Sequence, residues 1–172
     1  MKETKSTKKI SPDDICNMHL DYEKHPLTDK QRRLNIIYYV NKEWNIEWNG
    51  DCQLWDKNMK ECIVKCYPKK NKAIIFETIE QSWHGVPEKI SCPENTYRKS
   101  LAYYYISPLK NKSNNLKKGA NLNGYRTKAV FVKRPHDPDD ERMKKLFKIR
   151  PYRRITKNDM NEIWPEWNYK IN

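Results

Sequence analysis

Glycine is scarce: four residues in a chain of 172. Positions that need a positive φ must then fall largely to asparagine, the next most tolerant residue. Phenylalanine is rarer still, at three residues, and hydrophobic residues together make up only 37%. No stretch approaches the roughly 20 apolar residues of a spanning helix. Met1–Lys9 is charged and polar with no apolar run behind it. Neither a transmembrane segment nor a secretory signal is expected, and a cytoplasmic location follows. The five cysteines, Cys16, Cys52, Cys62, Cys66 and Cys92, are odd in number and fit no disulfide framework or zinc spacing. Free thiols in a reducing compartment are the expectation.

What is present compensates for what is not. Six Trp and eleven Tyr can build a modest core, because each aromatic buries a large area. The length suits one domain. The net charge is +13, which admits acidic partners: nucleic acid, an anionic surface, a 2-oxoacid or an acidic protein. Lys and Asn are spread along the whole chain rather than gathered in one stripe, so nucleic acid is the less favoured partner and no membrane association is expected.

The local pattern is one of many short strands. Ile15–Asp21, Leu34–Val40, Cys52–Trp55, Ile63–Tyr67, Ala73–Glu77, Ser82–Val86 and Tyr97–Ile106 read as strands, with one more at Tyr125–Val132. Asn49-Gly50-Asp51 is a strong turn signal. That rhythm predicts a mainly β sandwich or jelly roll. Residues 1–11 read as a disordered basic lead, and Lys110–Asn123 as a polar loop. Pro138–Ile149 has helical character, with acidic residues first and lysines later. The stretch holding Trp164, Pro165 and Trp167 reads as an irregular tail on the barrel exterior. The expected organisation is a lead (1–11), a β core (12–132), and a C-terminal helix and tail (133–172).

Three short pieces carry chemistry. His19-Leu20-Asp21 places an imidazole and a carboxylate at i and i+2, on one face of a strand. His84 lies far downstream. This is the order of the two-His-one-carboxylate triad, which grips Fe(II) on one side and leaves other positions open. Arg98 and Ser100, again i and i+2, follow 14 residues after His84 (98 − 84). A guanidinium fork and a hydroxyl there could anchor the far carboxylate of a chelating keto acid, and Tyr39 on an aromatic strand could reach the same group. His25 and His136 read as turn and loop residues, Lys69–Lys72 as a solvated turn, and Trp44, Trp48 and Trp55 as core or lid.

From about His19 to Pro108 the chain resembles the catalytic core of the 2-oxoglutarate- and Fe(II)-dependent oxygenases of the prolyl 4-hydroxylase-like superfamily. The matching pieces are HLDYEKHP, RRLNIIYYVNKEWNIEWNGDCQLWD, AIIFETIEQSWHGVPEKISCP and YRKSLAYYYISP. The resemblance implies a double-stranded β-helix, a distorted jelly roll of the cupin type. It implies His19, Asp21 and His84 as iron ligands and catalytic centre. Arg98 matches the residue that binds the distal carboxylate of 2-oxoglutarate, Tyr39 a tyrosine that hydrogen-bonds it, and Ser100 a supporting donor. It further implies O2 as co-substrate, succinate and CO2 as products, and ascorbate as an accessory reductant.

In that family a substantial region of helices and first barrel strands precedes H-x-D; here 18 residues precede His19. A shortened barrel is therefore expected, with a homodimer or a partner chain as ways to complete the sheet. Three functions follow: hydroxylation of a prolyl or other side chain in a peptide or protein; oxidation of a nucleobase or small molecule on the same core; or a truncated, non-catalytic interaction module.

Overall fold

Ala73–Glu77 alternates exposed and buried residue by residue, sending Ile74 and Phe76 inward and Ile75 out. That period of two is how a half-buried strand reads, and the chain repeats it in two facing sheets. The computed structural model describes residues 3–10, 16–25, 27–28, 30–109, 125–153 and 155–167. Its strands are β1 (Glu3–Ile10), β2 (Cys16–Leu20), β3 (Lys30–Tyr39), β4 (Cys52–Trp55), β5 (Cys62–Cys66), β6 (Ala73–Glu77), β7 (His84–Val86), β8 (Arg98–Pro108) and β9 (Val130–Phe131). The helices are α1 (Glu141–Ile149) and α2 (Lys157–Ile163), with 3-10 turns at Ile46–Trp48 and Pro165–Trp167.

One sheet runs β1-β8-β3-β6 and the other β5-β4-β7-β2-β9. The pairings between these strands are antiparallel. Tyr39 of β3, Cys52 of β4 and Ile74 and Phe76 of β6 form one buried cluster between the sheets. Met18, Trp55 and Met59 form a second, and Val86, Ile90 and Cys92, with Trp44 and Trp48 against them, a third. The fold is thus mainly β and jelly-roll-like, as the strand rhythm predicted. Trp55 is buried in the core, and Trp44 and Trp48, half-buried, pack against it. Among the described residues no helix is long and apolar enough to cross a membrane.

Asparagine does fill turns that glycine would otherwise take: Asn49, Asn71 and Asn95 have φ of 57°, 65° and 66°. Gly50, at φ 84°, follows Asn49, and together they turn the chain into β4. A side chain on Gly50 would be strained at that φ and would meet the ring of Trp44 at 3.1 Å.

Three segments differ from the sequence reading. Glu3–Ile10, expected as a disordered lead, pairs antiparallel with β8 over eight residues. The composition argument counted apolar side chains, whereas a ladder joins backbones and needs none. Of Tyr125–Val132 only Val130–Phe131 is strand. Arg126 instead is locked outside the sheet, its amide donating to Glu23 Oε2 at 3.1 Å and its carbonyl accepting from the amides of Glu23 and Lys24. The expected irregular tail contains α2. Thr156 and Asp159 cap each other's amides in a capping box, and Arg153 donates twice to Asp159, at 2.6 Å each. The α1 and α2 helices bury Met143, Leu146, Met160, Ile163 and Trp164 in one cluster. The loop expected at Lys110–Asn123 lies outside the described residues.

Candidate active site

His19 and His84 face each other directly. They are partners in the β2–β7 register, and their rings lie 4.3 Å apart between centroids. Asp21 sits one residue beyond the end of β2. Its Oδ1 is 3.6 Å from His19 Nε2 and its Oδ2 3.6 Å from His84 Nε2. One ligand atom from each of the three lies within 4.8 Å of the others, the spacing a single ion could bridge.

The backbone sets the direction of both imidazoles. His19 Nδ1 lies 2.8 Å from the Asn17 carbonyl, and His84 Nδ1 lies 2.8 Å from the Ser82 carbonyl. A carbonyl can only accept, so each Nδ1 carries hydrogen, and in the neutral ring the Nε2 lone pair is left toward Asp21. Outer partners of this kind orient metal-binding histidines. Phe76 and Phe131 lie against the rings of His84 and His19 at 4.4 and 5.2 Å.

Asp21 is held from the opposite sheet. Asn35 Nδ2 and the Tyr104 hydroxyl each donate to its Oδ2 at 3.0 Å. Asn35 of β3 and Tyr104 of β8 are themselves register partners. Burial works against ionising Asp21, but His84, His19 and Arg32 hold its carboxyl well below the usual carboxylate range. Burial likewise opposes a proton on His19; Cys16 and then the Asp21 carboxylate favour it, and its pKa is pushed up to about 10. A metal entering here would therefore release a proton. The three donors fit Fe(II) as a nitrogen, nitrogen, oxygen set. Burial pushes the neighbouring Cys52 thiol up to about 12, so it brings no thiolate into the cleft.

The cleft has a cavity volume of about 50 Å³, is partly open to solvent, and runs from these three residues to Arg98, Ser100 and Ala102. Arg98 is 2% exposed. Its Nε donates to the Gly50 carbonyl at 2.6 Å and its Nη2 to the Tyr39 hydroxyl at 3.1 Å. Among the described residues it has no carboxylate within ion-pair distance. A buried cation without a protein counter-ion is costly, and an anionic ligand in the cleft would relieve it. Tyr39, wholly buried, stands behind Arg98; Ser100, 1% exposed, lines the cleft on the same face.

All six residues singled out by sequence are thus around one cleft. Several others went unnoticed. Asn35 and Tyr104 support Asp21, and the carbonyls of Asn17, Ser82 and Gly50 orient the imidazoles and the guanidinium. Arg32 is sandwiched between the rings of Tyr22 and Tyr104, at 3.7 and 3.8 Å from their centroids. Counting by twos from Tyr39 reaches Asn35, and from Arg98 reaches Tyr104. His25 is a turn residue as expected but buried, its Nδ1 accepting from the Leu27 amide.

The comparisons follow the same line. None of the curated proteins matches the chain. Solved structures with similar folds include a prolyl 4-hydroxylase of Phytophthora capsici, at 18% identity and TM-score 0.47, covering 62% of this chain and 32% of that one. A prolyl-4-hydroxylase of Pseudomonas putida matches at 14% identity and TM-score 0.45, covering 61% and 52%. A prolyl hydroxylase from Trichoplax adhaerens, in complex with a hypoxia inducible factor peptide fragment, matches at 17% and TM-score 0.48, covering 61% and 44%. The chain therefore spans between 32% and 52% of the length of these structures. The family model described as the 2OG-Fe(II) oxygenase superfamily matches residues 9–106, more than half of the chain. The family implies Fe(II), 2-oxoglutarate and O2 as cofactor and co-substrates, and the chain belongs to the 2OG-Fe(II) oxygenase superfamily.

Proposed function

We propose that the protein is an Fe(II)- and 2-oxoglutarate-dependent dioxygenase that hydroxylates a side chain, prolyl first among the choices, in a peptide or protein. The observation that carries this reading is the convergence of His19, Asp21 and His84 at one end of a cleft lined by a buried guanidinium, Arg98, that has no carboxylate partner among the described residues. His19, Asp21 and His84 would hold the iron. Arg98 would bind the distal carboxylate of 2-oxoglutarate, with Tyr39 fixing the guanidinium and Ser100 adding a hydroxyl donor. When bound, the ferrous ion supplies the oxidation chemistry, coupling O2 and 2-oxoglutarate decarboxylation to transfer of an oxygen atom.

The protein's own part is orientation and enclosure. Asn17 and Ser82 keep the two Nε2 atoms aimed inward. Asn35 and Tyr104 fix an oxygen of Asp21, and His84, His19 and Arg32 keep it ionised. Ile37, Val86 and Ala102 line the cleft with apolar surface, which strengthens the charge interactions inside it. The peptide substrate is supported by the resemblance of HLDYEKHP and IIYYVN to the prolyl 4-hydroxylase-like group. Oxidation of a nucleobase would gain support from basic residues gathered at the site. Arg98 is the one Lys or Arg among the described residues lining the cleft, so the charge of +13 is not concentrated there.

The test is an anaerobic titration of the protein with Fe(II) and 2-oxoglutarate, followed by the visible charge-transfer band of the chelate. A band that His84→Ala abolishes is expected, and succinate release would then screen peptide substrates. Folded protein that gives no band would sink the assignment.

A further inference from the structure

The α1–α2 hairpin builds its own apolar cluster, yet its first helix ends on a residue that reaches the neighbours of His19. Arg150 caps the C-terminus of α1, its amide donating to the Leu146 carbonyl. Its Nε donates to the Asn17 side-chain Oδ1 at 3.0 Å. Its guanidinium carbon also lies 5.9 Å from the centroid of the Phe131 ring, within cation–π range. Asn17 and Phe131 both hold the His19 ring, whose Nδ1 also lies 4.0 Å from Cys16 Sγ. The Asn17 carbonyl accepts from His19 Nδ1 at 2.8 Å, and Phe131 stacks on the imidazole with planes 26° apart. Phe131 is also the β9 register partner of His19. Arg150 thus reaches two residues that support His19, whereas His84 rests on the Ser82 carbonyl and the Phe76 ring.

We infer that Arg150 is a positioning residue for His19, through which the C-terminal helical hairpin sets the metal affinity of the barrel. The inference rests on the iron-site reading above. The physical route is short. Asn17 is 7% exposed. Its side chain and carbonyl belong to one residue, so tethering the first restricts the second. Restricting the carbonyl restricts the torsion of the imidazole. Arg150 on the face of Phe131 holds that ring against the other side. Hydrogen-bonded partners of ligating histidines are worth about 10- to 100-fold in metal affinity, and a residue acting through such a partner should fall at the low end, about tenfold.

The experiment has two readouts on the full chain. The first is titration with Co(II), read by its visible absorption, for the parent protein, Arg150→Ala, Asn17→Ala and the double variant. Each single change should lower affinity by about tenfold, and the double change by no more than the larger single, because the two residues act in one chain of contacts. The second is the imidazole ¹⁵N spectrum of metal-free protein, in which Arg150→Ala should move the His19 signals further than those of His84, whose ring lies 4.3 Å away. Asn17→Ala leaves the hairpin intact, so it decides the question should Arg150→Ala fail to fold. Co(II) affinity within twofold of the parent, losses that multiply in the double variant, or unmoved His19 signals would each overturn the coupling. A parent protein that binds no Co(II) would instead overturn the metal-site reading, and the metal-free spectrum would still decide whether Arg150 holds His19.

Discussion

Adding one methyl group at Gly85 should damage both the fold and the site. A Cβ there would lie 2.6 Å from the Cys16 carbonyl oxygen, 2.9 Å from that of Asn17 and 3.0 Å from Met18 Sδ. The sulfur can swing aside on a flexible side chain. The two oxygens cannot, because they belong to the backbone of β2. Relief requires β2 to move away from β7, the pairing that sets His19 opposite His84. The Asn17 oxygen is also the acceptor of the His19 Nδ1 hydrogen. Overpacking of this kind costs about 1–3 kcal/mol. With a urea slope of about 2 kcal/mol per molar, the Gly85→Ala midpoint should fall by about 0.5–1.5 M. Co(II) affinity should fall in the same variant by about tenfold or more, since an orienting partner is displaced. Urea unfolding followed by fluorescence and the Co(II) titration give the two numbers. Unfolding at the parent midpoint with unchanged Co(II) affinity would refute the claim that close backbone contact between β2 and β7 sets the imidazole geometry.

Arg98→Gln should raise the KM for 2-oxoglutarate by about 10- to 100-fold, the loss of hydrogen bonds to a charged partner, while Co(II) binding stays near the parent value; an unchanged KM would remove Arg98 from the oxoacid site. Tyr104→Phe deletes one of the two neutral donors to Asp21 Oδ2 and should weaken Co(II) binding by about tenfold. Asp159→Asn should destabilise the hairpin by about 1 kcal/mol through loss of the capping box, seen as faster amide exchange in α2. Arg153 and Thr156 hold the Asp159 carboxyl well below the usual carboxylate range. Its contribution is therefore present above about pH 4 and drains away as pH falls toward the lowered folded value, so the variant's deficit should shrink in acid. Co(II) at 100 times the Kd should stabilise the fold by about 2.7 kcal/mol, raising the urea midpoint by about 1.4 M, and His84→Ala should abolish that gain.

Much of this was legible because strands repeat every two residues. Cys52–Trp55 and Ala73–Glu77 have the bounds that alternation and turn residues predicted. Arg98 and Ser100 share a face of β8, and the structure brings them to the cleft that His19, Asp21 and His84 line. What was not legible came from the other sources of order. β1 is held by backbone pairing, to which composition is blind. α2 begins at a Thr-x-x-Asp box, in which the shorter carboxylate does the work usually looked for in Glu or Gln, and that signal was passed over. At Arg32–Leu34 the β3–β8 register slips, so Gln31 and Arg32 are buried side by side and alternation no longer says which face either takes.

Asp21 shows why a motif understates the site it marks. H-x-D names one imidazole on β2 and the carboxylate one residue beyond its end. The donors that fix the carboxylate, Asn35 and Tyr104, lie on the other sheet, 14 and 83 residues away along the chain. An ionised carboxylate this buried needs charge-assisted hydrogen bonds on its remaining lone pairs. Those bonds can form only once the two sheets face each other. The site is therefore not a local feature that the barrel carries: its central ligand is one of the points where the two halves of the barrel meet, and the same contacts that close the sheets set the geometry offered to the metal.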